Sequence, residues 1–116
     1  MAPGDYHMTV NENGRICLNQ EPTVLGVRPS IDITMRSVAG IYKKKTLGIV
    51  LTGMGTDGTL GSSVIKASGG TILAQDEATS AVYGMPASVA QAGCVDKVLP
   101  LSDIAGEIAL ECGCLE

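Results

Sequence analysis

The sequence predicts an α/β fold built on a doubly wound, mostly parallel sheet with an added β-hairpin. Three observations lead there. Short continuous apolar runs at 46–52 and 71–75, with a further short strand at 95–99, have the pattern of strands buried on both faces. Stretches with apolar residues at helical spacing alternate with those runs, as βαβ units require. Near the start, Met8 and Val10 alternate with polar residues, as do Ile16 and Leu18, and Asn13-Gly14 is the favoured hairpin turn pair between them.

After the hairpin, a polar loop with Pro22 and Pro29 leads to Ser30, which can cap a helix whose apolar face is Ile31, Met35, Val38 and Ala39. Lys43, Lys44 and Lys45 read as the solvated end of that helix, complementing its dipole. The run TLGIVLT is the next strand, and Gly53 to Gly58 make a glycine-rich turn. A second helix follows with Leu60, Val64, Ile65 and Ser68 inward, ending at Gly69-Gly70. TILAQ forms a strand closed by Asp76. Residues 85–92 read as a short helix with Pro86 in its first turn and Gly93 as its stop. Ser102 caps a last helix with Ile104, Ala105, Ile108 and Ala109 on one face. No βαβ unit precedes the hairpin, so the N-terminal βαβ portion of such a domain is missing and about three parallel strands are expected.

Composition narrows the function classes. Three Tyr, no Trp, no Phe and a net charge of −4 argue against a nucleic-acid binder, which needs a basic face and stacking platforms. No apolar stretch reaches the length of a membrane span, so no membrane insertion is expected. The opening MAPGDYH has neither the basic region nor the apolar core of a signal peptide, which argues for the cytoplasm. Cys17, Cys94, Cys112 and Cys114 then read as reduced thiols. Cys112-Gly113-Cys114 is too tightly spaced for a zinc knuckle and His7 cannot complete one, so neither metal nor cofactor is expected.

The strongest local signal is Gly53-Met54-Gly55-Thr56-Asp57-Gly58 between a strand and a helix, with Asp76 after the following strand. Gly53, Gly55, Gly58 and Asp76 match a dinucleotide-binding fingerprint, with glycines against a pyrophosphate and the acid on a ribose. Against this, the Asp57 carboxylate inside the loop would repel a pyrophosphate. The same geometry suits a different chemistry. At the carboxyl end of a strand, Asp57 could be the acid of a Ser-His-Asp triad, fixing the tautomer of a histidine. A plainer reading has Asp57 capping the helix that follows it. The residues alone leave all three open.

A resemblance decides between them. Ala2-Pro3-Gly4-Asp5-Tyr6-His7, Arg28-Pro29-Ser30-Ile31-Asp32, Leu51-Thr52-Gly53-Met54-Gly55-Thr56-Asp57-Gly58, Ala74-Gln75-Asp76-Glu77-Ala78 and Tyr83-Gly84-Met85-Pro86 follow in order. Gly93 and Val98-Leu99-Pro100-Leu101 continue the series. These blocks resemble the methylesterase domain of chemotaxis response regulators, the protein-glutamate methylesterases, over residues 2–110. The resemblance implies hydrolysis of γ-glutamyl methyl esters on methyl-accepting chemoreceptors, often with deamidation of receptor glutamines. It assigns the triad acid to Asp57 and a backbone oxyanion donor to the N–H of Met54. It makes residues 1–116 the C-terminal part of a single methylesterase-type domain with no receiver domain.

In that family the nucleophilic serine and the base histidine precede the Ala-Pro-Gly-Asp block, with which this chain opens. His7 reads as structural, and Ser30, Ser62, Ser63 and Ser80 offer no nucleophile elbow. An upstream segment or complementary chain is therefore expected to supply Ser and His. Alone, the chain is expected to hydrolyse esters negligibly and to self-associate or be poorly stable. A fold remnant acting as a non-catalytic binding module is the remaining alternative.

Overall fold

The alternation at residues 8–18 becomes an antiparallel hairpin in the computed structural model, which describes residues 1–113. Strand β1 (His7–Val10) pairs with β2 (Ile16–Asn19), Met8 opposite Leu18 and Val10 opposite Ile16. Asn13-Gly14 does not close it as a two-residue turn. The Asn11 N–H donates to the Arg15 carbonyl at 2.9 Å, leaving residues 12–14 as the loop with Gly14 at φ 76. Asn11 Oδ1 takes the amides of Asn13 and Arg15, so the bend is built on an Asn side chain and a left-handed glycine.

Helix α1 (Ile31–Tyr42) follows and ends in a 3-10 turn, Lys43–Lys45. The parallel unit then runs β3 (Leu47–Val50), α2 (Thr59–Ala67), β4 (Thr71–Gln75), α3 (Met85–Gln91), β5 (Lys97–Leu99) and α4 (Leu101–Glu111). Sheet order is β3-β4-β5, all parallel, with Ile49 opposite Leu73 and Leu73 opposite Lys97. The expected α/β architecture and its three parallel strands are present.

Side chains alternate across a strand, and this decides what each face buries. Val50 and Ala74 pack with Val89 of α3 and Cys94, while Ile72 packs with Ala39 of α1 and Ile65 of α2. Met35 touches both groups and joins them into one layer. Leu73, of opposite parity, is fully buried, and α4 with its buried Ile104 packs against β4. On β3 the residues of that parity, Leu47 and Ile49, are only half-buried, and β4 is the strand's one neighbour among the described residues.

Four expectations about the helices need correction. Leu60 points outward; α2 buries Ile65 as expected, together with Gly61 and Ser62. The reason is close approach to α1: a Cβ on Gly61 would lie 2.6 Å from Met35 Cβ and 3.2 Å from Asp32 Cα. Ser30 occupies the N-cap position of α1 but makes no side-chain cap bond. Helix α4 starts after Pro100, so Ser102 lies inside its first turn, and Ala105 faces solvent. Cys114 lies outside the described residues. No helix among those described is long and apolar enough to cross a membrane.

Asp96 ties the end of the sheet together. Its N–H donates to the Ile72 carbonyl at 2.8 Å, and its carboxylate accepts the Ile72 N–H at 2.7 Å and Lys66 Nζ at 2.7 Å. Burial pushes this carboxyl up, but the Lys66 hydrogen bond, the Ile72 amide and the Lys66 charge outweigh it and hold it below the usual 3.8. A carboxylate depressed in the folded state stabilises above its unfolded pKa and loses that contribution as pH falls through the folded value. Asp96→Asn should therefore melt at a lower temperature than the parent at neutral pH. Melting curves in increasingly acid buffer should show the gap closing below about pH 3.8; a gap independent of pH would contradict this.

Candidate active site

At the carboxyl end of β3 the chain enters the glycine-rich turn, and neighbouring loops hold it on one side. Gln75, fully buried, accepts the Thr52 N–H on Oε1 at 2.8 Å and donates from Nε2 to the Thr79 carbonyl at 2.8 Å. The Gly53 N–H donates to the Val82 carbonyl, and the Gly53 carbonyl accepts from Gly84 and Met85 at 3.1 and 2.8 Å. Gly84 must lack a side chain, because a Cβ there would lie 2.7 Å from the Gly53 oxygen. These bonds fix residues 52–53 and leave the next residue proud of the surface. Met54 is 86% exposed, and its N–H has no acceptor among the described residues.

Asp57, at the far end of the turn, does not cap the helix that follows it. Its Oδ1 accepts Ser30 Oγ at 2.8 Å and the Asp32 N–H at 3.1 Å, and its Oδ2 accepts the Ile31 N–H at 2.8 Å. Those donors form the N-terminus of α1, whose first amides have no partner within the helix. The N-terminus of α2 is served in return from α1. Asp32, 2% exposed, accepts the N–H groups of Gly58 and Gly61 on Oδ1 at 2.9 and 2.8 Å. Gly58, the N-cap of α2, has φ 97 and no side chain of its own to offer. Asp57 is half-buried.

The only histidine of the chain lies nearby, in a different role. His7 is fully buried; its Nδ1 accepts the Ser30 N–H at 3.1 Å, and Nε2 donates to the Pro22 carbonyl at 2.9 Å. His7, Ser30 and Asp57 are thus adjacent, yet they do not form a catalytic relay. Ser30 Oγ donates its hydrogen bond directly to Asp57, the imidazole meets Ser30 only at its backbone N–H, and Ser30 is sealed from solvent. Ser62 is fully buried against Met35, Ser63 bonds the Thr59 carbonyl and Ser80 the Asp76 carbonyl.

Outside the turn, Leu25, Val27, Met54, Gly55, Thr56 and Asp57 line a cleft of about 360 Å³. A larger one of about 480 Å³ lies around Tyr42–Lys45 and Ser68, with neither Asp57 nor Met54 in its wall.

The dinucleotide reading of Gly53, Gly55, Gly58 and Asp76 fails on this geometry. A pyrophosphate would need the amides at the start of α2, and the Asp32 carboxylate already holds those of Gly58 and Gly61. Asp76 Oδ1 is turned back onto Thr79, bonding its N–H at 3.0 Å and its hydroxyl at 2.6 Å. Among the described residues, no three of His, Cys, Asp and Glu cluster as metal ligands would. Asp32 is the residue that sequence reasoning passed over. An acid in the first turn reads as a partner for its own helix dipole, and spacing does not say that it serves another helix.

Comparison with known proteins bears on this site. The family model described as CheB methylesterase matches residues 1–108. The chain is 50% identical over 111 residues to a protein-glutamate methylesterase/protein-glutamine glutaminase of Rhodospirillum rubrum, covering 93% of this chain and 29% of that one. A second relative of the same description, from Caulobacter vibrioides, is 53% identical over 113 residues, covering 94% and 33%. The chain thus spans about a third of the length of these relatives. The crystal structure of the Thermotoga maritima CheB methylesterase catalytic domain superposes with a TM-score of 0.89 at 43% identity, covering 92% of this chain and 58% of that one.

The cap from Asp57 to α1 has a measurable consequence. Asp57→Ala should lower stability by about 1–2 kcal/mol in urea unfolding. The amides of Ile31 and Asp32 should also exchange faster with solvent. Unchanged stability with unchanged exchange would contradict the cap.

Proposed function

Because the chain belongs to the CheB methylesterase family, we propose that it is the acid-bearing, C-terminal part of a protein-glutamate methylesterase catalytic domain, spanning residues 1–116. The substrates are γ-glutamyl methyl esters of chemoreceptors in the cytoplasm, with deamidation of glutamine as the companion reaction. An upstream segment supplies the serine and the histidine.

One observation carries this reading. The Asp57 carboxylate, at the carboxyl end of a parallel strand, is oriented by three donors and borders the same cleft as Met54. A carboxylate has about four lone-pair sites, so one acceptor position remains, on Oδ2. The Ile31–Oδ2 bond lies at the exposed edge of the cluster, where an imidazole N–H can approach. The outer edge of β3 supports the same reading. A parallel strand added there would end beside the glycine turn, bringing residues that follow it within reach of Asp57.

The reaction is acyl transfer in two steps. The serine attacks the ester carbonyl while the histidine takes its proton and returns it to the departing methanol, or to ammonia when the substrate is an amide. Water then releases the acyl group as a carboxylate. Asp57 holds the imidazole in the required tautomer and stabilises the imidazolium. The unengaged Met54 N–H stabilises the oxyanion at both tetrahedral stages. Leu25 and Val27 give the cleft an apolar wall that suits a neutral ester or amide better than the carboxylate product.

The test joins the chain to the upstream portion of the Thermotoga maritima catalytic domain and assays methanol release from methylated receptor. The joined domain should turn over and the chain alone should not. Asp57→Asn in the joined domain should lower turnover about ten-thousand-fold. An Asp57→Asn domain with undiminished turnover would refute the assignment.

A further inference from the structure

We infer that Asp32 is a positioning residue for this same site, acting through Asp57; the inference rests on the esterase reading above. Asp57 and Gly58 are consecutive, and both are fastened to the first turn of α1. Asp57 is fastened by three donors reaching its carboxylate, and Gly58 by its own N–H reaching the Asp32 carboxylate. The Gly61 bond to the same Asp32 oxygen sets the direction of α2 as it leaves the turn. Two of the unpartnered amides at the start of α2 are thereby satisfied from another helix. If that grip is released, the peptide after Asp57 loses one of its anchors, and the lone pair that a histidine must meet is held by the three donors alone.

Two further observations separate Asp32 from an ordinary cap. Its other oxygen, Oδ2, is buried and has no hydrogen-bond partner among the described residues, a cost that a serine cap, with no second oxygen, would not incur. Its length is also constrained. Gly61 comes so close to α1 that a Cβ there would lie 3.2 Å from Asp32 Cα, leaving the short carboxylate spanning a fixed gap. Acceptance by a carboxylate makes both amide bonds charge-assisted, the stronger kind, at the point where the glycine turn joins its helix.

The variant to make is Asp32→Asn in the joined catalytic domain, which keeps an oxygen acceptor but removes the charge; Asp32→Ala is the harsher companion. Turnover is normalised to the fraction of reactive serine counted by burst titration, so loss of folded protein does not enter. Asp32→Asn should lower kcat about ten- to a hundredfold with KM unchanged, as displacement of a catalytic group does. On an Asp57→Asn background it should lower kcat no further, because the effect passes through Asp57. Normal kcat per reactive serine in folded Asp32→Asn, or a full additional loss in the double variant, would overturn the role of Asp32 alone. Absence of hydrolysis by the parent joined domain would overturn the esterase reading and this role with it. If Asp32→Ala fails to fold, the asparagine variant still decides.

Discussion

Asp57, which leads into α2, closes the N-terminus of α1, while Asp32, in the first turn of α1, closes the N-terminus of α2. This exchange fixes where the glycine turn ends. The other side of the turn is held separately, by Gln75 on Thr52 and by the Gly53 carbonyl on Gly84 and Met85. Between the two anchorages lie Met54, Gly55 and Thr56, exposed and bordering the cleft. A carboxylate and a free amide are thus presented together by a loop whose ends cannot drift. Preorganisation of this kind is what electrostatic catalysis requires, since donors and acceptors must already point where charge will develop.

The glycines that flank the turn serve backbone approach, not a phosphate. Gly61 lets α2 lie against α1 closely enough for Asp32 to span the gap, and Gly84 lets its loop lie on the Gly53 carbonyl. Gly58 leaves the α2 N-terminus without a cap of its own, which creates the demand that Asp32 meets. The resemblance to a dinucleotide fingerprint arises because both designs need a tight strand-to-helix turn. They differ in which anion sits at the helix start: a ligand's phosphate in one, a side-chain carboxylate in the other.

Much of the fold was legible because the signals are periodic. The apolar runs around β3 and β4 and the helical stripe of α1 identify their elements without reference to anything distant. Failures came where a neighbour decides. Leu60 has the apolar character of a core residue, yet α2 turns it outward because Gly61 must face Met35. Ser30 has the chemistry of an N-cap, yet its hydroxyl serves Asp57 because that carboxylate already takes the helix amides. Asp57 was legible as a candidate acid from its place at a strand end. Its partners, 25 to 27 residues earlier, were not, since no local pattern pairs a loop carboxylate with another helix.

The account stands on the two carboxylates behaving as one unit, and a double-mutant cycle on unfolding free energy measures that most directly. Asp32→Ala, Asp57→Ala and the double variant would be unfolded in urea alongside the parent chain. The account predicts that the double variant loses less stability than the two single losses added together, by about 1 kcal/mol or more. Additivity within about 0.3–0.5 kcal/mol would mean two independent caps that happen to be neighbours, and would contradict it.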